Sequence, residues 1–125
     1  MNTSLVARML SLVAMLIGGS MAFSLPWGLP ILGGRWEHEQ RGILALLGSI
    51  VLCFAAGIGL RYLGRNGRGP LFRREAMAVV GLSWVLATVL GALPYELAAT
   101  QRAPGIRMHF VDAMFESQSG FSTTG

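Results

Sequence analysis

The chain has 125 residues, of which 53% are hydrophobic and 13% charged, and its formal net charge is +4. A soluble domain of this size carries about a quarter charged residues, so the composition excludes an ordinary soluble enzyme or binding domain and points to a membrane. All ten basic residues are arginines, and most sit beside apolar runs rather than in a basic stripe with exposed aromatics. That distribution excludes nucleic acid as a partner and makes membrane lipid the first one.

Charge is absent from Met9 to Gly34, from Gly42 to Leu60 and from Ala76 to Tyr95. Each run is near or above the ~18 residues that mark a membrane-spanning candidate. Segment one covers about Leu5 to Leu25, and Pro26, Gly28 and Pro30 are expected to break it. A secretory signal is the rival reading, with Arg8 before an apolar core and Ser20-Met21-Ala22 as the cleavage site. The apolar character continues through Phe23, Leu25 and Trp27, and further spans follow, so the spanning reading is preferred.

Residues 26–41 read as a first loop, in which His38 lies between Glu37 and Glu39. Three consecutive polar residues point in different directions on any regular backbone, so a solvated loop is expected there rather than a metal site. Segment two runs from Gly42 to about Leu60 and contains Cys53, a lone thiol with no pairing or metal motif. A lipid- or helix-facing role is expected for it. Residues 61–75 form a second loop carrying Arg61, Arg65, Arg68, Arg73 and Arg74 against Glu75 alone. By the positive-inside rule this loop and the N-terminus belong in the cytoplasm. Trp27, Trp36 and Tyr95 then fall near the outer interface, with Tyr62 and Phe72 near the inner one.

Segment three runs outward from Ala76 to about Ala98, with Pro94 near its outer end. Ala55 with Gly59, and Ala87 with Gly91, are small-xxx-small pairs that permit close helix approach. A third loop over about 99–109 leads to HFVDAMFESQSGF, where Val111, Met114, Phe115 and Gln118 recur at helical spacing. This helix is too short to span and carries two carboxylates, so it is either interfacial or re-entrant. Asp112 falls in its first turn, where negative charge offsets the helix dipole. Glu116 is a functional candidate because ionisable groups at membrane depth are costly. His109 reads as a helix-start residue.

Ser122-Thr123-Thr124-Gly125 follows the helix. Such a run is common turn vocabulary. After a re-entrant helix it has another use: small residues in extended backbone turn carbonyls toward a dehydrated cation. No catalytic triad, phosphate loop or carboxylate pair is present, so the chain reads as a non-enzyme.

Phe72 to Ala98, FRREAMAVVGLSWVLATVLGALPYELA, followed by FVDAMFESQSGFSTTG from Phe110 to Gly125, resembles the Trk/Ktr/HKT superfamily of potassium transporters, and within it the bacterial TrkH-type membrane subunits. The resemblance implies an all-α integral membrane protein: three transmembrane helices, then a re-entrant pore helix and the start of a selectivity-filter strand. Residues 1–71 would hold two N-terminal helices and the Arg-rich loop. Residues 72–125 would hold the first helix and pore loop of a helix–pore–helix unit. Ser122, Thr123, Thr124 and Gly125 would give filter carbonyls to K⁺, with Glu116 and Asp112 supporting the pore helix. Gln118 departs from the pattern, which more often has an aliphatic residue there. Ser122 stands where Thr is frequent, and His109 where a small helix-capping residue is frequent.

The family's unit occurs four times around one ion path, so these residues are expected to be the N-terminal portion of a longer chain. One strand alone cannot enclose an ion. The implied setting is the bacterial inner membrane, with a homodimer of the full-length protein regulated by a cytosolic nucleotide-binding subunit. The Arg-rich loop is a candidate contact for that subunit as well as an orientation signal. No cofactor is implied, and no metal other than K⁺. The competing reading is a small three-helix membrane anchor with an interfacial C-terminal helix and no transport role.

Overall fold

The computed structural model describes residues 2–28 and 36–124. Four helices form: α1 (Thr3–Gly28), α2 (Trp36–Leu63), α3 (Arg73–Leu97) and α4 (Phe110–Ser122). Between α3 and α4 lies a hairpin of β1 (Gln101–Ala103) and β2 (Ile106–Arg107). The first three helices are each long and apolar enough to cross a membrane. At ~1.5 Å rise per residue, each exceeds the ~30 Å hydrocarbon core. In hydrocarbon every backbone polar group must be bonded within the chain, and a helix does this locally.

All three long helices begin before the boundaries expected from composition, and α1 and α2 also end beyond them. Pro26 does not end α1, which continues to Gly28. It falls in the last turns, where few backbone bonds remain to be lost. Trp36-Glu37-His38-Glu39, read as loop, opens α2 instead. The base of α3 takes in Arg73, Arg74 and Glu75. Polar first turns of this kind reach out of the hydrocarbon into the headgroups, so the helix outlasts its apolar run.

The spans pack antiparallel in sequence, and small residues set the contacts. A Cβ built on Gly18 of α1 would stand 3.1 Å from the Cβ of Cys53 in α2. One on Gly57 would stand 2.9 Å from Met15, and one on Gly48 would meet Leu97 of α3 at 3.4 Å. Ala14, Ile17, Cys53 and Leu90 form the buried core. Cys53 therefore faces a helix, fully buried, with its Sγ 4.0 Å from Met21 Sδ. The Ala55/Gly59 pair is not the seam: both residues are exposed, and nothing lies within 4 Å of a Cβ on Gly59. Buried hydroxyls turn back on their own helices, Ser11 to the Arg8 carbonyl at 2.6 Å and Ser49 to the Ala45 carbonyl at 2.7 Å.

At one end of the bundle the 61–75 link is fastened to the start of α1. Gly64 and Gly67 are buried there, and a Cβ on either would stand 2.6 Å from a backbone nitrogen of α1, Arg8 and Leu5 respectively. The Arg8 guanidinium donates to the Gly67 carbonyl at 3.3 Å, and the Asn2 amide donates to the Arg68 carbonyl at 3.3 Å.

The short sheet corrects a purely helical expectation. Gln101 pairs with Arg107 and Ala103 with Ile106 in an antiparallel register. Pro104-Gly105 makes the turn, and Gly105 has φ 80°, the positive value that the third residue of a type II turn requires.

Gly64→Ala is expected to destabilise the protein by about 1–3 kcal/mol, because its Cβ meets backbone that cannot rotate away. Gly59→Ala, facing open space, should stay within about 0.5 kcal/mol of wild type. Thermal unfolding of both variants in detergent, followed by size-exclusion chromatography, checks the pair.

Candidate functional site

Helix α4 turns back along α3. The hairpin carries the chain past the end of α3, and the Met108 N–H closes it on the Thr100 carbonyl at 2.9 Å. His109 then precedes the helix with extended backbone, φ −78° and ψ 157°. Its N–H donates to Asp112 Oδ2 at 3.3 Å. Asp112 thus stands in the first turn, where its charge also offsets the helix dipole.

The face of α4 that packs is the small, polar one. Ala113, Ser117 and Ser119 are buried, whereas Val111 is 75% and Phe115 70% exposed. Hydroxyls and small side chains let two helices approach closely, which is worth more between membrane helices than extra apolar area. On the α3 side the approach is made by Gly91, where a Cβ would run into Ser117 Oγ and stand 2.8 Å from the Phe121 ring. The Ser117 hydroxyl donates to the Ala87 carbonyl at 3.5 Å, and the Thr88 hydroxyl bonds the Gln118 side-chain oxygen. The Ala87/Gly91 pair is therefore the seat of α4. Gln118, odd by family pattern, has a partner in Thr88.

This seat is in the second half of α3. Ala87, Thr88 and Gly91 lie six to ten residues before the helix end at Leu97, roughly 9–15 Å at ~1.5 Å per residue. That is about a third to a half of the ~30 Å hydrocarbon thickness.

The closing residues take up a capped helix end. Ser122 is helical, and its hydroxyl lies 2.8 Å from both the Gln118 carbonyl and Thr124 Oγ1. Thr123 is left-handed, φ 54° and ψ 27°, and the Thr124 N–H reaches back to the Ser119 carbonyl at 3.2 Å. The extended strand expected over 122–125 is thus not formed at Ser122 or Thr123. Local capping satisfies the last helical carbonyls when no neighbouring strand competes for this backbone. A β-branched residue in this conformation costs about 1–2 kcal/mol. Gly125 lies outside the described residues.

Glu116 is exposed and makes no hydrogen bond to the neighbouring backbone among the described residues. It lines a cleft of about 340 Å³ with Tyr95, Ser119, Gly120 and Thr123. It also borders a second cleft of about 290 Å³ that reaches Ile17, Ser20 and Met21 of α1. The structure therefore brings Glu116 and Thr123 to one opening and sets Asp112 apart, at the far end of α4. Among the described residues no three His, Cys, Asp or Glu side chains are grouped to hold a metal ion.

Thr88 was missed by sequence reasoning, since one hydroxyl on an apolar helix carries no signal until the facing residue is known. Removing one partner of the pair should cost more than removing both. Thr88→Val, which strands the Gln118 amide, is expected to destabilise by about 1–3 kcal/mol, while Thr88→Val with Gln118→Leu should be nearly neutral. A double-mutant cycle on thermal stability measures the difference.

The chain is 30% identical over 125 residues to the Trk system potassium uptake protein TrkH of Salmonella typhimurium, covering all of this chain and 23% of that protein. It is 30% identical over 128 residues to TrkH of Halomonas elongata, with the same coverage. Against TrkG of Escherichia coli it is 25% identical over 88 residues, 70% of this chain and 17% of that protein. The chain thus spans about a quarter or less of the length of the curated relatives it matches. No protein-family model matches it, and no solved structure matches it.

Proposed function

We propose that this chain, a multi-pass membrane segment that belongs with the Trk-type potassium-transporter membrane subunits, supplies the first filter strand of a K⁺ pathway. In this reading α1 and α2 are the two extra helices, α3 is the outer helix of the first unit, and α4 is its re-entrant pore helix. The single observation that carries the reading is the seat of α4's last turns against Ala87, Thr88 and Gly91, six to ten residues inside the end of α3. A helix lying flat in the interface would meet α3 at its last turn.

The chemistry follows from depth. The C-terminal end of α4 bears partial negative charge and would favour a cation held at mid-membrane. Beyond it, the carbonyls of Ser122, Thr123, Thr124 and Gly125 replace the water of a dehydrated K⁺ once neighbouring units hold the strand extended. The last helical turn must then open at Thr123, where strained backbone gives it the least to lose. Glu116, in the cleft beside Thr123, adds a negative charge at the mouth of that path.

The remaining parts of the reading concern setting and partners. The protein sits in the inner membrane with its N-terminus and the Arg-rich link in the cytoplasm. The full-length subunit pairs with a second copy and is regulated by a cytosolic nucleotide-binding subunit.

Two experiments test this. In the full-length protein, Thr123→Ser keeps the carbonyl and should leave K⁺ uptake within about twofold of wild type. Gly125→Ser adds a Cβ at the ion path and should abolish uptake or admit Na⁺, with membrane insertion intact. Uptake of both ions in cells lacking their own potassium transporters decides it, and wild-type selectivity in Gly125→Ser removes the filter role. For orientation, cysteines placed at Asn66 and Gln101 should be labelled from inside and outside respectively. The reverse pattern would invert the topology.

A further inference from the structure

Arg61, Arg65, Arg68, Arg73 and Arg74 are all exposed at one end of the bundle. The one carboxylate in their segment is buried and bonds backbone instead of forming an ion pair with them. Glu75 is only 6% exposed, its Oε1 accepts the Asn2 backbone N–H at 3.2 Å, and its Oε2 is buried without a partner. None of the five guanidinium groups has a carboxylate within ion-pair distance among the described residues. Five exposed cationic groups on one short stretch of chain therefore have Glu75 as their one nearby carboxylate, and it pairs with none of them.

The backbone that carries them is held in place. Gly64 and Gly67 pack on the start of α1, and Arg8 and Asn2 bond the Gly67 and Arg68 carbonyls. The Arg65 guanidinium lies over the Tyr62 ring, 4.6 Å from its centroid. Helix α3 begins at this same end beside Arg73 and Arg74, and the Glu75 carboxylate in its first turn is taken up by its own backbone N–H and that of Asn2. Tyr62 (66% exposed), Leu71 (46%) and Phe72 (65%) flank the arginines. Both helices that meet the link are long and apolar enough to cross a membrane. The cations thus ring the point where hydrocarbon gives way to headgroups.

We propose that this end of the bundle is a binding site for the phosphates of anionic phospholipid. The guanidinium groups take the phosphate, and Tyr62, Leu71 and Phe72 lie along the upper acyl chain. The exposed apolar rim selects a lipid over a soluble anion. The unpaired guanidinium groups, each able to form a two-pronged hydrogen bond, select an anionic headgroup over a zwitterionic one. The site rests only on the membrane placement of α2 and α3, so it stands or falls independently of the K⁺ reading.

The test uses the full-length protein, delipidated in neutral detergent and offered equimolar phosphatidylglycerol and phosphatidylcholine, with bound lipid counted by native mass spectrometry. Wild type should retain phosphatidylglycerol preferentially. Each arginine neutralised should weaken that preference about fivefold, so Arg73→Gln with Arg74→Gln should lose about 25-fold. Arg73→Lys with Arg74→Lys should keep most of it, and Arg107→Gln in the distant hairpin should change nothing. Monodisperse elution on size-exclusion chromatography establishes that each variant is folded. An unchanged lipid ratio in the glutamine variants would overturn the proposal. So would full displacement of phosphatidylglycerol by excess inorganic phosphate, which would mean a site for any phosphate. Glutamine variants that keep the lipid but no longer capture the cytosolic nucleotide-binding subunit would make the surface a protein contact instead.

Discussion

The absence of a side chain at Gly91 governs the arrangement of this chain. Any Cβ there would strike Ser117 and Phe121, and α4 would be lifted from α3. With the gap left open, the serine face of α4 drops onto α3. The Ser117–Ala87 and Thr88–Gln118 bonds can then form. Where α4 lies against α3 and which of its residues face the cleft follow from that one close approach.

Hydrocarbon explains why such a contact can be decisive. Lipid tails are as apolar as leucine, so burying large apolar side chains gains little between membrane helices. Close backbone approach and satisfied polar groups count for more. The same physics recurs through the bundle at Gly18 against Cys53, Gly57 against Met15, and Gly64 and Gly67 against the first turns of α1. Large side chains such as Val111, Phe115, Trp84 and Ile58 are left outward, an inversion of the soluble pattern.

Much of this was legible from composition. Three spans, the Arg-rich link and the short helix over 110–121 follow from runs without charge and from helical spacing, and the structure holds elements at each place. Boundaries were read short because apolar runs mark hydrocarbon, whereas helices such as α3 begin in polar residues like Arg73 and Glu75. The hairpin was missed although Pro104-Gly105 is a strong turn pair, because its strands are too short to alternate. The packed face of α4 was not legible from Val111, Met114, Phe115 and Gln118, since periodicity identifies a helix and its apolar stripe and not which stripe meets protein. Of the two small-residue pairs, only Ala87/Gly91 makes a contact. Spacing alone does not separate it from Ala55/Gly59, whose outward face has the same composition. At Thr123 the helix cap won locally, where a strand would need neighbours from elsewhere to hold it.

The depth of α4 is tested most directly by a cross-link in native membranes. Thr88→Cys and Gln118→Cys, in a full-length protein with Cys53→Ala, place two thiols where the Thr88–Gln118 bond now stands. A protease site inserted between Pro104 and Gly105 lets the chain be cut between them. If α4 folds back along α3, mild oxidation should keep the two fragments joined until reductant is added. Fragments that separate with or without oxidation, in protein that is membrane-inserted and carries reactive thiols, would put α4 at the surface and contradict the account.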